Sequence, residues 1–249
     1  MSENKTIVIG GITGGIGSAL ARKLVAEGHT VQGFARSAER IDALKEKLDV
    51  QISTVDATNP EEVDAYFDSA SESADQIDAY VHAIGSIFLK PAHLTSPEDW
   101  QNVIMANLNS AFYALRACTK IMQKQRAGSC LFFSTAAAQT GIANHEAIAA
   151  AKGGIEAMIR SAAATYSSKG LRFNAIAPSL TDTPLAKPVI GSEQGLEISK
   201  RMHPLGEIGD ANDIASLANW LLSDDAKFVT GQTFVADGGI STIVPKPKA

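Results

Sequence analysis

Short apolar runs alternate with longer amphipathic stretches along the whole chain. The runs KTIVIG (5–10), HTVQGFA (29–35), VQISTV (50–55), QIDAYVHAI (76–84), CLFFS (130–134), RFNAIA (172–177) and TFVA (233–236) are apolar almost throughout. That texture suits strands buried on both faces. The intervening stretches read as helices, and several carry start and stop signals. Asn59-Pro60-Glu61-Glu62 and Ser96-Pro97-Glu98-Asp99 each offer a capping side chain, a first-turn proline and early acids, and Gly28 is placed to stop the first helix. Seven strands joined by helical crossovers predict a three-layer α/β fold, a Rossmann-type doubly wound parallel sheet. Ligands are then expected at the carboxyl ends of the strands. No repeat or linker divides the chain, so residues 1–249 read as a single domain with a short Pro/Lys tail at 244–249. The stretch from Ser179 to Gly195, rich in Pro, Thr and Gly, reads as a long irregular piece acting as a substrate lid.

Composition narrows the partners. With 22 basic and 27 acidic side chains the formal charge is -5, which offers no field for a nucleic acid. MSENKT runs straight into IVIGG, with no basic segment and long apolar stretch to act as a signal, and no apolar run reaches membrane-spanning length. A cytoplasmic protein with a small-molecule substrate is the expectation. Cys118 and Cys130 read as buried thiols, since neither belongs to a Cys/His cluster with metal-ligand spacing. No metal is expected.

The chemistry starts at Gly10-Gly11-Ile12-Thr13-Gly14-Gly15-Ile16-Gly17, between the first strand and a helix carrying Ile16, Leu20 and Leu24 on one face. Glycines there let the backbone approach a pyrophosphate, which the helix start can hold. Gly11, Thr13, Gly15, Ile16 and Gly17 are therefore candidate cofactor contacts. The second strand ends in Phe34-Ala35-Arg36-Ser37. An acid at that point would bond ribose hydroxyls and repel a 2'-phosphate, whereas Arg36, with Ser37 beside it, attracts one. NADP(H) is thus preferred to NAD(H), the alternative being that Arg36 is a solvated surface arginine. Asp56, ending the third strand, is a candidate for the adenine edge, or else caps the Thr58-Asn59 turn.

On these residues, together with Asn107 in MANLNSAF, Lys152 in AAAKGGIEAM, the RFNAIAPSL strand and loop and the C-terminal FVTGQTFVADGG, the chain resembles the short-chain dehydrogenase/reductase family over nearly its whole length. The resemblance implies an oxidoreductase, assembled as a homotetramer or homodimer. It implies that Lys152 holds the nicotinamide ribose, that Asn107 holds a water in a proton relay, and that Thr183 bonds the carboxamide. Ala83, in His82-Ala83-Ile84-Gly85, stands at the cofactor turn after the fourth strand, and Pro178-Ser179 replaces the family's Pro-Gly. The family's catalytic serine falls at Thr135, beside Ser134. Its catalytic tyrosine, four residues before the lysine, falls at Ile148, which has no proton to give. His145 lies on the same helical face as Ile148 and Lys152 and is a candidate substitute acid, unless it is an exposed first-turn residue after an Asn144 cap. His82 and His93 are weaker candidates. The expected function is NADP(H)-dependent reduction of a small carbonyl or conjugated C=C, with the proton from water, Thr135 or His145. The alternative is an inactive NADP(H)-binding sensor or partner subunit.

Overall fold

The computed structural model describes residues 4–245. In chain order the elements are β1 (Thr6–Gly10), α1 (Gly15–Ala26), β2 (Thr30–Ala35), α2 (Ala38–Lys45), β3 (Gln51–Thr54), α3 (Pro60–Glu72), β4 (Ala79–His82), α4 (Pro97–Ile104) and α5 (Ser110–Gln125). They continue with β5 (Gly128–Phe133), α6 (Glu146–Tyr166), β6 (Leu171–Pro178), β7 (Thr181–Asp182), α7 (Lys187–Ile190), α8 (Glu193–Met202), β8 (Gly209–Asp210), α9 (Ala211–Leu222) and β9 (Thr233–Ala236).

Seven strands form one parallel sheet in the order β3-β2-β1-β4-β5-β6-β9. Strand side chains alternate between its faces, and both faces are buried. In β1, Val8 joins one apolar layer with Phe67 of α3, Cys118 of α5 and Ile155 of α6. Its neighbours Ile7 and Ile9 join the other, with Leu20 of α1, Ile41 of α2 and Ile214 of α9. The three-layer doubly wound architecture is therefore present. Chain order reverses between β1 and β4, which opens a crevice at their carboxyl ends.

Local signals act as the sequence predicts at several ends. Asn59 accepts from the Glu61 and Glu62 amides to start α3, and Ser96 with Asp99 forms a reciprocal capping box on α4. Gly28 follows α1 at φ +86. Cys118 and Cys130 are buried free thiols with their sulfurs 3.8 Å apart.

Two expectations need correction, and one element was not foreseen. The stretch from Ser179 to Gly195 is not irregular, because it contains β7, paired with β8, a 3-10 turn at Pro184–Ala186, α7 and the first turn of α8. Ser192 caps α8 by accepting from the Gly195 amide. Asn144 does not cap α6; it sits at φ 65 with its carbonyl accepting from Lys90 N–H, and His145 occupies the capping position. Between α4 and α5 the chain makes a π-helical turn, Met105–Asn109, that no periodicity announced. Of the 244–249 tail, residues 246–249 lie outside the described residues.

Candidate active site

The crevice begins at the glycine turn. Gly11 is at φ +79, and a Cβ there would come within 2.6 Å of the Ala83 carbonyl, while one at Gly17 would come within 2.5 Å of the Gly11 carbonyl. Only bare backbone fits between β1 and β4. A Cβ on Gly15 would strike the Thr183 methyl, so the segment after β7 lies directly on the start of α1. Gly14 offers α1 no capping side chain. The first amides of α1 thus face the crevice, a cradle that suits a pyrophosphate. Thr13 and Ile16 lie partly exposed on this turn.

At the end of β2, Arg36 is exposed and close enough for its charge to lower the Asp56 carboxyl. The larger cause of that lowering is the Thr58 amide, which donates to Asp56 Oδ1 at 3.0 Å, with the Thr58 hydroxyl at 2.8 Å. Asp56 therefore does cap its own turn and leaves Oδ2 for other partners. Ser37 accepts from the Arg40 amide as the cap of α2.

Beyond Ala83 the crevice widens into a cavity of about 550 Å³ lined by Ile16, Ala83, Thr135, His145, Ile148, Lys152 and Thr183, among others. Lys152 is its chief polar group, 7% exposed, with Nζ donating to the Phe133 carbonyl at 3.0 Å. Burial pulls its pKa from 10.5 down to about 8. Thr135, which lines the cavity, accepts from the Ala137 amide and keeps its O–H as a donor. Ser134 is less available, because its hydroxyl donates to the buried Glu156 carboxylate at 2.5 Å. Thr183 donates to the Thr181 carbonyl and keeps its oxygen as an acceptor.

Asn107 lies in the π turn, fully buried. Its Nδ2 donates to Ser86 Oγ and the Val103 carbonyl, and its Oδ1 accepts from Ser86 N–H. The side chain thus pins the Gly85–Ser86 turn, where a Cβ on Gly85 would lie 2.9 Å from Asn107 Oδ1 and 3.0 Å from Lys152 Nζ.

The histidines separate cleanly. His145 is half-buried at the rim with Nδ1 2.7 Å from the Ala143 carbonyl. His82 is excluded from the cavity: it is fully buried beneath the sheet, stacked on Phe132, between the Tyr80 hydroxyl and Ser110. Burial, aided by the Lys152 charge, lowers its pKa to about 3, so it stays neutral. His93 is exposed and away from the cavity. The sequence missed His203, which lines the cavity with Nε2 2.8 Å from Ser179 Oγ. Their separation of 24 positions hides the pairing from any local pattern.

The family model described as Enoyl-(Acyl carrier protein) reductase matches residues 11–241. The chain is 32% identical over 246 residues to 3beta-hydroxysteroid dehydrogenase 1 of Eggerthella lenta, covering 96% of this chain and 94% of that protein. It is 30% identical over 254 residues to 2-(S)-hydroxypropyl-CoM dehydrogenase 3 of Xanthobacter autotrophicus, covering 97% and 98%. A short-chain type dehydrogenase/reductase from Mycobacterium ulcerans has the same fold, with a TM-score of 0.92 at 27% identity over 97% of this chain and 91% of that one.

Proposed function

The chain belongs to the short-chain dehydrogenase/reductase family of oxidoreductases, and from that premise we propose that it is a single-domain NADP(H)-dependent reductase of a small carbonyl or conjugated C=C substrate. The observation that carries this reading is the convergence of the glycine cradle, the Thr135 hydroxyl and the buried Lys152 on one cavity. A reduced nicotinamide bound along the crevice supplies the hydride. Gly11, Thr13, Gly15, Ile16 and Gly17 hold the pyrophosphate, and Ala83 and Thr183 flank the nicotinamide half. Lys152 presents a cation to the ribose, and Thr135 donates to the oxygen on which charge develops. Asp56 Oδ2 serves the adenine edge. The remaining walls, including Ile84, Phe88, Leu180, Leu185, Val189 and Met202, are apolar and select a substrate with an apolar body. Among the described residues no helix is long and apolar enough to cross a membrane, and we take the protein to work in the cytoplasm as a homotetramer or homodimer.

The choice of NADP(H) rests on Ala35 and Arg36. Charge-assisted bonds to a phosphate are worth about 1.5–3 kcal/mol, so Arg36→Ala is expected to weaken NADPH binding by about 10-fold to 100-fold. NADH binding should barely move. Titration calorimetry with both cofactors checks this, and equal loss for the two would remove Arg36 from the 2'-phosphate site.

The function itself is tested by initial rates of NADPH oxidation across aldehydes, ketones and enoyl thioesters. Turnover on one class establishes the reductase and its bond. Tight NADPH binding without turnover on any class would instead assign the inactive nucleotide-binding role, which the dehydrogenases among its relatives do not favour.

A further inference from the structure

We propose that Ser179 and His203 form the proton-delivering pair of this site, with Ser179 as the catalytic residue that protonates the substrate and His203 acting through it. This rests on the reductase reading above. Ser179 directly follows Pro178, the last residue of β6, and its N–H donates to the Ala236 carbonyl at 3.3 Å. The neighbouring strand β5 ends at Phe133, whose carbonyl holds Lys152, and Thr135 comes two residues later. The two strand ends therefore place Ser179, Thr135 and Lys152 around one cavity.

The hydrogen bonds fix the pair's chemistry. His203 Nδ1 is 2.7 Å from the Ser199 carbonyl, which can only accept, so Nδ1 carries the hydrogen. In the neutral ring Nε2 then accepts from the Ser179 hydroxyl at 2.8 Å. Once the ring is protonated, Nε2–H must donate to Ser179 Oγ, and the serine hydrogen is turned out toward the cavity. Two features lie beside the ring. His203 is the residue at which α8 ends, where the carbonyl ends of the helix favour positive charge. The Asp237 carboxylate, fixed by the Gly239 and Ser241 amides at 2.8 and 2.9 Å, lies close by. The ring is 5% exposed, so bulk water does not screen the pair.

The step balances. Hydride from the reduced nicotinamide adds to the carbonyl carbon, and the C=O π pair moves to oxygen. The Ser179 proton passes to that oxygen while the Nε2 proton of the imidazolium passes to Ser179. The products are an alcohol, the oxidised nicotinamide, an intact serine and a neutral imidazole in the tautomer described above, which solvent recharges. For a conjugated C=C substrate the same proton goes to the enolate. The other imidazole of the cavity, His145, has its Nδ1 bonded to the Ala143 carbonyl and makes no hydrogen bond to a hydroxyl among the described residues.

The pair could instead only tie α8 to β6, so the test needs measurements that a mere tie would not move. On a substrate that wild type reduces, Ser179→Ala and His203→Gln are expected to lower kcat about 100-fold, the lower end of general acid catalysis, with the NADPH Kd within about twofold. His203→Ala should regain at least about tenfold with added imidazole, whose proton the emptied site can use. Nitrogen-15 NMR of the wild-type ring, which needs no turnover, should show Nδ1 protonated and an Nε2 signal that shifts in Ser179→Ala. A proton on Nε2 in the neutral ring overturns the proposal. So do variants that keep wild-type kcat while Lys152→Met is dead, which leaves the reductase intact and its acid elsewhere. If wild type reduces no substrate, the reductase reading falls and this assignment falls with it.

Discussion

Replacing Lys152 by methionine is expected to cut NADPH turnover by a factor of about 10²–10³ while leaving the fold as stable as wild type, or more so, at pH 7. The two effects have one origin. Burial that takes the lysine from 10.5 to about 8 corresponds to about 3 kcal/mol of penalty on the charged form. Below pH 8 the folded protein carries that penalty in full. Between pH 8 and 10.5 the folded chain has released a proton that the unfolded chain still holds, so stability rises with pH across that window. Methionine fills a similar volume without the penalty, though it leaves the Phe133 carbonyl without its donor, at a cost of about 1–3 kcal/mol. The melting temperature of wild type should therefore rise relative to that of Lys152→Met as pH goes from 7 to 10. The same titration predicts that wild-type turnover declines above about pH 8, as the cavity's cation is lost. A methionine variant with undiminished turnover would remove Lys152 from the chemistry.

That lysine was legible in the sequence, and so was most of what surrounds it. Buried parallel strands need apolar side chains on both faces, so the runs from KTIVIG to TFVA announced themselves without any partner. The glycine turn could be read because its close backbone packing leaves no room for side chains. His82 could have been placed better: a period of two puts it with Tyr80, on the face opposite Val81, and so beneath the sheet. The helix starting at Ser192 also carried a signal, a capping serine followed by Glu193 and closed by Lys200 and Arg201, but the Pro- and Gly-rich stretch before it masked the period. Other features had no local trace. The π turn at Asn107 depends on Ser86 capturing its amide from another loop, and the Ser179–His203 bond depends on α8 folding back over the end of β6. Both are tertiary facts, set by which segments meet.

Installing a tyrosine at Ile148 is expected to raise carbonyl reduction at least about tenfold. Ile148 and Lys152 are four residues apart on α6 and both line the cavity, so a phenol at 148 enters the same space as the ammonium. A nearby cation brings a phenol down from its ordinary pKa near ~10 toward the range where it can trade protons. Room is available, because Ile148 packs on Val103, Ala147 and Ala151 at its base while its other side faces about 550 Å³ of cavity. A stability loss of about 1–3 kcal/mol is expected from the larger ring, and a thermal melt will show it. The decisive comparison is Ile148→Tyr in a Ser179→Ala background. If the serine and its histidine deliver the proton, the phenol should restore turnover there by a larger factor than it adds to wild type, since it then replaces the lost donor. Equal factors in the two backgrounds would mean that serine and phenol do not share a task. A folded, NADPH-binding Ile148→Tyr with no gain in either background would mean that position 148 does not face the reacting oxygen.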